Sequence, residues 1–387
     1  MENINKIIGE RIKIARKDLR ITQNTLAKKT SIGSAQIISM IEKGERALKV
    51  LELSLFAKVL HKDINFFITL TRPTKVPSIL WRRKGNSKKG GISEASGFFI
   101  NKCQQYNHLE NLVGSNLIST LPSIKLDLHL NINDFTFIKM KAKEISDFLQ
   151  LGSRPARSLE PILEQKYGIK ILCSREMDTI SAASTIGEFG PAILINGLEA
   201  PWRRNYDLAH ELFHILTWDD NLIKKQKNNK RDIESWIEKL AESFASILLI
   251  PDDELDREIR IRVRNGKISK QDLVSIARDF DVSIDALLWR CKGLYQLSKQ
   301  SVERLLKDKD FRKIDRMTHH SNWRKAPELP KRFVMLGVTA YKMGKISKSQ
   351  LANYFVTSIA KINDLVTSYG FSLEDDDEQE IEVDIRC

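Results

Sequence analysis

Apolar residues recur at helical spacing through most of this chain, while strand-like apolar runs occur near its middle. Residues 7 to about 68 have the pattern of four or five short helices, and residues 92 to 150 have that of a helical connector. The runs Ile169–Cys173 and Ala192–Asn196 have the length and apolar content of strands. A helical pattern resumes after them. We therefore expect a multidomain, mainly α protein with one small α+β core, an all-α N-terminal domain and a helical C-terminal region.

Two histidines with an adjacent glutamate, namely His210, Glu211 and His214, form the motif with the clearest chemistry. Because an α-helix has 3.6 residues per turn, the two histidines share a face, and both imidazoles can reach one metal ion. Glu211 lies one step round the helix, beside the position of a metal-bound water. The same string also arises by chance in unrelated helices, so its sequence context decides between a metal site and two buried histidines.

A catalytic zinc site also needs a third protein ligand and a group that stabilises the oxyanion, and both must come from outside this motif. Three protein ligands and an open fourth position are needed, and Glu238 and Glu242 are again four residues apart on an otherwise apolar helix. One carboxylate can bind the metal while the other orients the ligand, and the spacing does not decide which of the two does which. No group that would stabilise an oxyanion is evident, since we expect Arg203, Arg204 and Tyr206 to be structural or to lie at the surface.

The region around these residues resembles the ImmA/IrrE family of zinc metallopeptidases. It has a strand ending in Asn, an Arg shortly before Leu-Ala-His-Glu-Leu-Phe-His, and then Glu-x-x-Ala-x-x-Phe-Ala-x-x-Leu-Leu-x-Pro from Glu238. The resemblance implies a zincin-like core in which His210, His214 and Glu238 bind Zn²⁺ and Glu211 is the general base. The family commonly has Asn or Asp where this chain has Glu242, which therefore stays the alternative ligand or a residue that orients the ligand.

A second recognisable stretch lies between Thr22 and Arg46. Two short helical segments flank Gly33, which permits a tight turn, and Gly44 ends the second segment. Thr22 and Ser34 have side chains suited to cap helix N-termini. Contacts between the two helices are expected from Leu26, Ala27, Ile38 and Ile41. The stretch is similar to the helix-turn-helix of Cro/C1-type (XRE) domains.

This second resemblance implies which side chains contact double-stranded DNA. It places Gln23 near the phosphate backbone, and Lys43 and Arg46 towards phosphates. Towards the major groove it places Ser34, Gln36, Ile37 and Met40. A glutamine can bond adenine bidentately, and an apolar side chain can contact a thymine methyl group. Such domains sometimes bind only proteins, and this second helix is unusually apolar, so a protein-binding module is the alternative.

Charge is unevenly distributed along the 387 residues, which carry a net +13. Residues 374–384 hold eight acidic and no basic side chains, so the rest of the chain is more basic than its total suggests and should attract polyanions. The densest basic run, residues 82–91, is expected to be a solvated linker, with a phosphate contact as the less favoured alternative. Four scattered cysteines without a CxxC pair are expected to be reduced thiols. The lack of a long apolar stretch and of a signal-peptide pattern predicts a cytoplasmic protein without a membrane segment.

These landmarks predict five regions along the chain. They are a Cro/C1-type helix-turn-helix domain at 1–70, a basic linker and helical connector at 71–150, an ImmA/IrrE-like peptidase core at 151–260, a helical region at 261–373, and an acidic tail at 374–387. The fourth region contains two near-repeats that begin with Gly-Lys-Ile-Ser, at 266 and 344. In each, the serine is suited to cap a helical hairpin.

With both resemblances, the sequence predicts a DNA-binding transcriptional regulator fused to a zinc-dependent metallopeptidase. The role implied by the family is limited proteolysis of a helix-turn-helix repressor, in trans or at its own linker, in stress response or mobile-element control. Its partners would be a double-stranded DNA operator and that repressor, and a homodimer is one possible assembly because such domains usually need two copies to bind a palindrome. The alternative, from another class, is a noncatalytic regulator or antitoxin whose peptidase-like domain is a sensor or scaffold.

Overall fold

The structure is a computed structural model that describes residues 4–19, 21–60, 64–68, 77–83, 92–115, 120–127, 130–177, 179–219, 231–318 and 325–374. In these ranges the helices are α1 (Ile4–Asp18), α2 (Gln23–Thr30), α3 (Ala35–Lys43), α4 (Val50–Val59), α5 (Ile64–Ile68), α6 (Ile92–Val113), α7 (Ile132–Leu149), α8 (Pro155–Gln165), α9 (Pro201–Leu216), α10 (Arg231–Leu249), α11 (Asp252–Arg262), α12 (Lys270–Asp279), α13 (Ile284–Tyr295), α14 (Lys299–Lys307), α15 (Lys309–Met317), α16 (Lys331–Lys342), α17 (Lys348–Tyr354) and α18 (Ile362–Ser368). The strands are β1 (Ile79–Arg83), β2 (Lys170–Ser174), β3 (Ile180–Gly187) and β4 (Gly190–Asn196).

Helices α1 to α5 form an all-α N-terminal domain around an apolar core of their own. Thr22 caps α2, since its hydroxyl accepts a backbone N–H of the first turn at 3.1 Å. Gly44 ends α3 with a φ of 76°, and a Cβ there would lie 2.6 Å from the backbone of Lys6. Ser34 stands at the N-cap of α3, but its hydroxyl bonds Gln36 instead of the helix backbone. The prediction of an all-α helix-turn-helix domain is confirmed.

The four strands form one mixed sheet in the order β1-β3-β4-β2. Strands β2 and β4 are parallel, with Ile171 opposite Ile193, and β3 is antiparallel to both of its neighbours. Side chains of β4 alternate between two cores: Ile193 and Ile195 pack with α7 to α10, whereas Ala192 and Leu194 pack with α6 and α16. Helices therefore cover both faces of the sheet, which is why β4 is a near-continuous apolar run.

Two strands of this sheet depart from the sequence predictions. The hydrophobic pattern does not predict β3, because Ser181, Ala182 and Ser184 give it small and partly polar side chains although it is buried. Strand β1 lies inside the predicted basic linker and pairs with β3 at the edge of the sheet. The prediction of a solvated linker is wrong for Arg82, whose side chain is only 11% exposed. Residues 84–91 of that run lie outside the described residues.

A cluster of buried charges joins the sheet to helices that are far apart in sequence. Nζ of Lys170 in β2 lies 2.8 Å from one carboxylate oxygen of Glu110 in α6, and Arg332 in α16 pairs with the other oxygen at 2.5 Å. The hydroxyl of Tyr106, also in α6, donates to Glu164 in α8 at 3.1 Å. The side chains of Lys170 and Arg332 are each 3% exposed. Because a buried charge that loses its partner is costly, α6, the sheet and α16 depend on one another.

Both Gly-Lys-Ile-Ser units begin helices in the predicted way. The hydroxyl of Ser269 accepts a backbone N–H in the first turn of α12, and that of Ser347 does the same in α17. In α17 the cap is reciprocal, because the side chain of Gln350 accepts the N–H of Ser347 at 2.8 Å. The capping role predicted for the two serines is confirmed.

Several other sequence predictions concern composition and the ends of the chain. Among the described residues, Cys103, Cys173 and Cys291 are free thiols, as predicted. None of the described helices is long and apolar enough to cross a membrane. Residues 375–387, which make up nearly all of the predicted acidic tail, lie outside the described part of the chain.

Candidate metal centre and DNA-contact surface

Helices α9 and α10 place the two histidines opposite Glu238. Helix α9 begins at Pro201, whose fixed φ suits the first helical turn, and it packs against β3 and β4 as well as α10. The rings of Phe213 in α9 and Phe244 in α10 are 5.6 Å apart and fully buried, so an apolar contact sets the spacing of the two helices. The polar faces next to this contact therefore meet at a fixed distance.

Three potential metal-binding side chains converge between these helices. The Nε2 atoms of His210 and His214 are 3.2 Å apart. The Glu238 carboxylate lies 3.1 Å from Nε2 of His210 and 3.3 Å from Nε2 of His214. In the described part of the chain, this is the one group of three His, Cys, Asp or Glu ligand atoms that lie within 4.8 Å of one another. The structure thus brings together the three residues that the resemblance implies as zinc ligands.

The chemistry of these atoms fits a divalent cation such as zinc. Two imidazole nitrogens and a carboxylate are a donor set of catalytic zinc sites, which hold three protein ligands. His210 is fully buried and His214 is 6% exposed, whereas the side chain of Glu238 is 44% exposed. The arrangement is therefore closed on the histidine side and open on the side of Glu238, where a fourth position for water or substrate would face solvent.

The pKa values of the three residues favour a neutral histidine beside an ionised carboxylate. Burial lowers the pKa of His210 to about 3. Burial also acts to lower the pKa of His214, but the contact with Glu238 outweighs it and the net shift is upward. For Glu238, burial acts to raise the pKa, and the contacts with both histidines outweigh it and hold the pKa well below its usual range. A metal needs deprotonated ligands, and His210 and Glu238 are already in that state at neutral pH.

Glu211 lies beside the cluster without belonging to it. Its side chain is 1% exposed, and the hydroxyl of Ser184 on β3 is close enough to interact with its carboxyl group. Burial raises the pKa of Glu211 to about 7, although the nearby His214 acts in the opposite direction. A buried carboxyl group with a pKa of about 7 can accept and release a proton near neutral pH, as a general base must.

Glu242, the alternative ligand, lies one turn away on α10 and points elsewhere. Its side chain is 56% exposed, and one carboxylate oxygen lies 3.7 Å from Nη2 of Arg82. Its backbone oxygen accepts the hydroxyl of Tyr206 at 2.9 Å. Of the two carboxylates that the spacing left open, the geometry brings Glu238 to the histidines and Glu242 to Arg82.

Arg82 is the residue at this site that sequence reasoning missed. It lies on β1, and its Nη1 contacts Oδ1 of Asp207 on α9 at 2.5 Å. Arg203, one turn before Asp207 on α9, also pairs with that carboxylate at 3.2 Å. The run in which Arg82 stands is basic and rich in Gly and Ser, so nothing in the local sequence distinguishes it from a solvated arginine. The available signal was Asp207, because it stands three residues before His210 on the same face of the helix, and a carboxylate that is buried there needs a cation.

The residues predicted to contact DNA lie on or near α3 in the N-terminal domain. Gln36 and Lys43 are exposed and Met40 is 43% exposed, whereas Ile37 is partly buried against the core of this domain. The hydroxyl of Ser34 is bonded to Gln36 at 3.0 Å, so these two side chains form one polar group at the start of α3. The exposed face of α3 thus carries both polar and apolar side chains, and their contacts with DNA bases stay predictions.

Two of the predicted phosphate contacts are engaged inside the domain. The amide of Gln23 donates to Glu42 at 2.8 Å, and the same carboxylate binds Arg16 through two bonds of 2.5 and 2.9 Å. Arg46 pairs with Glu52 at 2.6 Å and is one-third exposed. These pairs fix the orientation of both side chains, and their contacts with phosphate stay predictions.

The described chain joins a helix-turn-helix domain to a mixed-sheet domain that holds the cluster of His210, His214 and Glu238. Comparison with family models agrees: residues 12–67 match the helix-turn-helix model, and residues 164–292 match the IrrE N-terminal-like domain of the M78 peptidases. The chain therefore has both of the domains that the two resemblances imply. The helix-turn-helix domain supports DNA binding, and the M78 domain supports a metallopeptidase.

Matches to individual proteins add little. No curated protein matches the chain. Among solved structures, the apo form of the competence regulator ComR from Streptococcus vestibularis is 14% identical, with 95% of this chain and 90% of that chain covered and a TM-score of 0.17. The apo form of ComR from S. thermophilus is 12% identical, with coverages of 95% and 97% and a TM-score of 0.15. Likeness at such TM-scores carries no argument about fold or function.

Proposed function

We propose that this protein is a zinc-dependent metalloendopeptidase fused to a DNA-binding domain, and that it cleaves a helix-turn-helix repressor or its own linker at limited sites. The observation that carries the proposal is the convergence of His210, His214 and Glu238 within 4.8 Å, with the buried carboxylate of Glu211 beside them. Three side chains of the right chemistry that meet from two separate helices are unlike two core histidines that share a helix face.

Each residue of the centre has a distinct task in peptide hydrolysis. His210, His214 and Glu238 would hold the zinc, which supplies a Lewis acid that makes water nucleophilic at neutral pH. Glu211 accepts the proton of the attacking water on a carboxylate oxygen and then passes it to the nitrogen of the leaving amine. Burial of Glu211 suits this role, because it raises the pKa of the carboxyl group to about 7, so that the group can both accept and release a proton near neutral pH.

Purified protein should contain about one zinc per chain, bound through His210, His214 and Glu238. His214→Ala should lose most of it, because two remaining ligands hold zinc poorly. Glu238→Gln should lower the zinc content much more than Glu242→Gln, since only Glu238 lies beside the histidines. Elemental analysis after dialysis measures the zinc content of the wild type and of the three variants. A full zinc complement in His214→Ala, or equal losses in the two glutamine variants, would show that the ligand assignment is wrong.

The N-terminal domain should bind duplex DNA with an affinity that falls steeply as salt rises, because phosphate contacts release counterions. Gln36→Ala should weaken discrimination between sequences, whereas Lys43→Ala should weaken binding to all sequences and reduce the salt slope by about one. Both residues are exposed on or at the end of α3, so neither variant should disturb the fold. Binding curves at several salt concentrations test this. If a fragment of residues 1–70 had no affinity for any duplex at low salt, the domain would be a protein-binding module.

The second candidate is a regulator or antitoxin that uses the peptidase-like domain as a scaffold without turnover. The test compares newly formed protein N-termini in host cells that express the wild-type chain with those in cells that express Glu211→Gln, with and without DNA damage. Cleavage products that appear only with the wild type support the peptidase, and an N-terminal fragment ending between residues 73 and 93, on either side of β1, would identify self-cleavage. Identical profiles under all conditions would favour the noncatalytic regulator.

A further inference from the structure

Strand β1 adds a residue to the metal centre from outside the region that matches the peptidase family. The matched region is 164–292, whereas β1 lies between the N-terminal domain and α6. In the pairing with β3, Leu80 lies opposite Ser184 and Arg82 opposite Ala182. Ile79 and Trp81 pack on the core with α6 and α16, so Leu80 and Arg82 project to the other face of the sheet, on which α9 lies.

Arg82 contacts both helices that carry the metal-binding residues. Its Nη1 bonds Asp207, which lies one turn before His210 and Glu211 on α9 and is fully buried. Its Nη2 lies 3.7 Å from the carboxylate of Glu242, one turn after Glu238 on α10. The guanidinium also stacks at 5.5 Å over the ring of Tyr206, whose hydroxyl donates to the backbone of Glu242. One planar cation thus bridges α9 and α10 at one end of the centre.

We propose that Arg82 is a positioning residue of the metal centre: it holds α9 against α10 so that Glu238 meets the two histidines. This role of Arg82 rests on the proposed function, because it takes the centre to bind zinc. Glu238 is the only one of the three that comes from α10, so a small shift between the helices would move it away from His210 and His214. The segment that leads from the DNA-binding domain is, on this account, part of the peptidase site.

If Arg82 acted only through its charge, it would have the opposite effect on zinc affinity. Arg82 is a buried cation close to a site for another cation, so its charge alone opposes metal binding. If it acted only through charge, its removal would strengthen the binding of zinc. If it acts by fixing the two helices, its removal weakens zinc binding in spite of the lost repulsion.

The test measures zinc affinity of the full chain by competition with a chromogenic chelator, for wild type, Arg82→Met, Arg82→Lys and Arg203→Met. Arg203 is the matched control, because it pairs with the same Asp207 but is 42% exposed and stays on α9. We expect Arg82→Met to weaken zinc binding by about 10- to 100-fold, the range for residues that orient metal ligands. Arg82→Lys, which keeps the charge but not the planar fork, should lie in between, and Arg203→Met should stay near wild type.

A second measurement separates positioning from loss of fold. Arg82→Met leaves Asp207 without its closest partner, so the double variant Arg82→Met with Asp207→Asn removes both charges, and thermal unfolding of the metal-free proteins reports stability. We expect the double variant to unfold near the wild-type temperature and still to bind zinc weakly. Zinc affinity of Arg82→Met at or above that of wild type, or full recovery in the double variant, would overturn the inference. Failure of the wild type to bind zinc would instead count against the proposed function.

Discussion

Replacement of Glu211 by glutamine should leave zinc bound and remove turnover. Glu211 is absent from the cluster formed by His210, His214 and Glu238, so the ligands do not change. Glutamine has nearly the same shape, but its amide cannot accept and then return the proton of the attacking water. The loss of a general base typically lowers the rate by about 10²- to 10⁴-fold. Zinc content by elemental analysis and cleavage of a target identified in host cells would measure the two properties separately.

A glutamate-to-glutamine substitution elsewhere, on α10, is the control for Glu211→Gln. Glu234 is exposed and lies one turn before Glu238, so Glu234→Gln should keep both zinc and turnover. Full activity of Glu211→Gln would assign proton transfer to another residue. Loss of zinc from Glu211→Gln would mean that this carboxylate takes part in metal binding, and the separation of roles between it and the three ligands would be wrong.

The second large effect is expected in the N-terminal domain, where Glu42→Ala should strongly destabilise the helix-turn-helix. The side chain of Glu42 is 2% exposed and binds Arg16 through both carboxylate oxygens, with Gln23 as a second partner. Its removal leaves the guanidinium of Arg16, 11% exposed, without a counterion. Removal of one partner of a buried pair costs about 3–5 kcal/mol. That is a large part of the 5–15 kcal/mol that stabilises a typical domain, and a domain of this size is at the lower end.

Amide hydrogen exchange over residues 4–60 of the full chain is the suitable measurement, because it reports this domain apart from the rest. Glu45→Ala, three residues further on and exposed, is the control and should change exchange little. The affinity of Glu42→Ala for duplex DNA should fall together with the protection of its amides from exchange. Equal protection in the two variants would show that the pair with Arg16 contributes little to the fold.

The sequence predicted those parts of the site that depend on spacing within a helix. The pair His210 and His214, and the candidates Glu238 and Glu242, were evident because residues four apart share a helix face. The geometry then distinguished the two carboxylates. Cap positions such as Thr22 and Ser269 were also predictable, since a cap depends on residues within a single turn.

The parts that sequence reasoning missed depend on contacts between distant segments. Arg82 and Asp207 are 125 residues apart, and no local pattern relates them. Strand β1 was not predicted because an edge strand needs only a short apolar run, which here is Ile79–Trp81. The basic residues that follow this run are typical of linkers. Strand β3 was missed for another reason, since its small side chains reflect tight packing beneath helices instead of the alternation of a half-exposed strand.

The buried charge cluster of Glu110, Lys170 and Arg332 limits how far the chain can be shortened without loss of its internal contacts. The stretch that matches the peptidase family begins at 164 and stops at 292, so a fragment trimmed to those limits would keep Lys170 and lose both of its companions in the cluster. It would also lose the edge strand with Arg82. The smallest portion with all of these contacts begins at β1 and extends through α16. Segments on both sides of the matched stretch are therefore part of the same folding unit as the candidate metal centre.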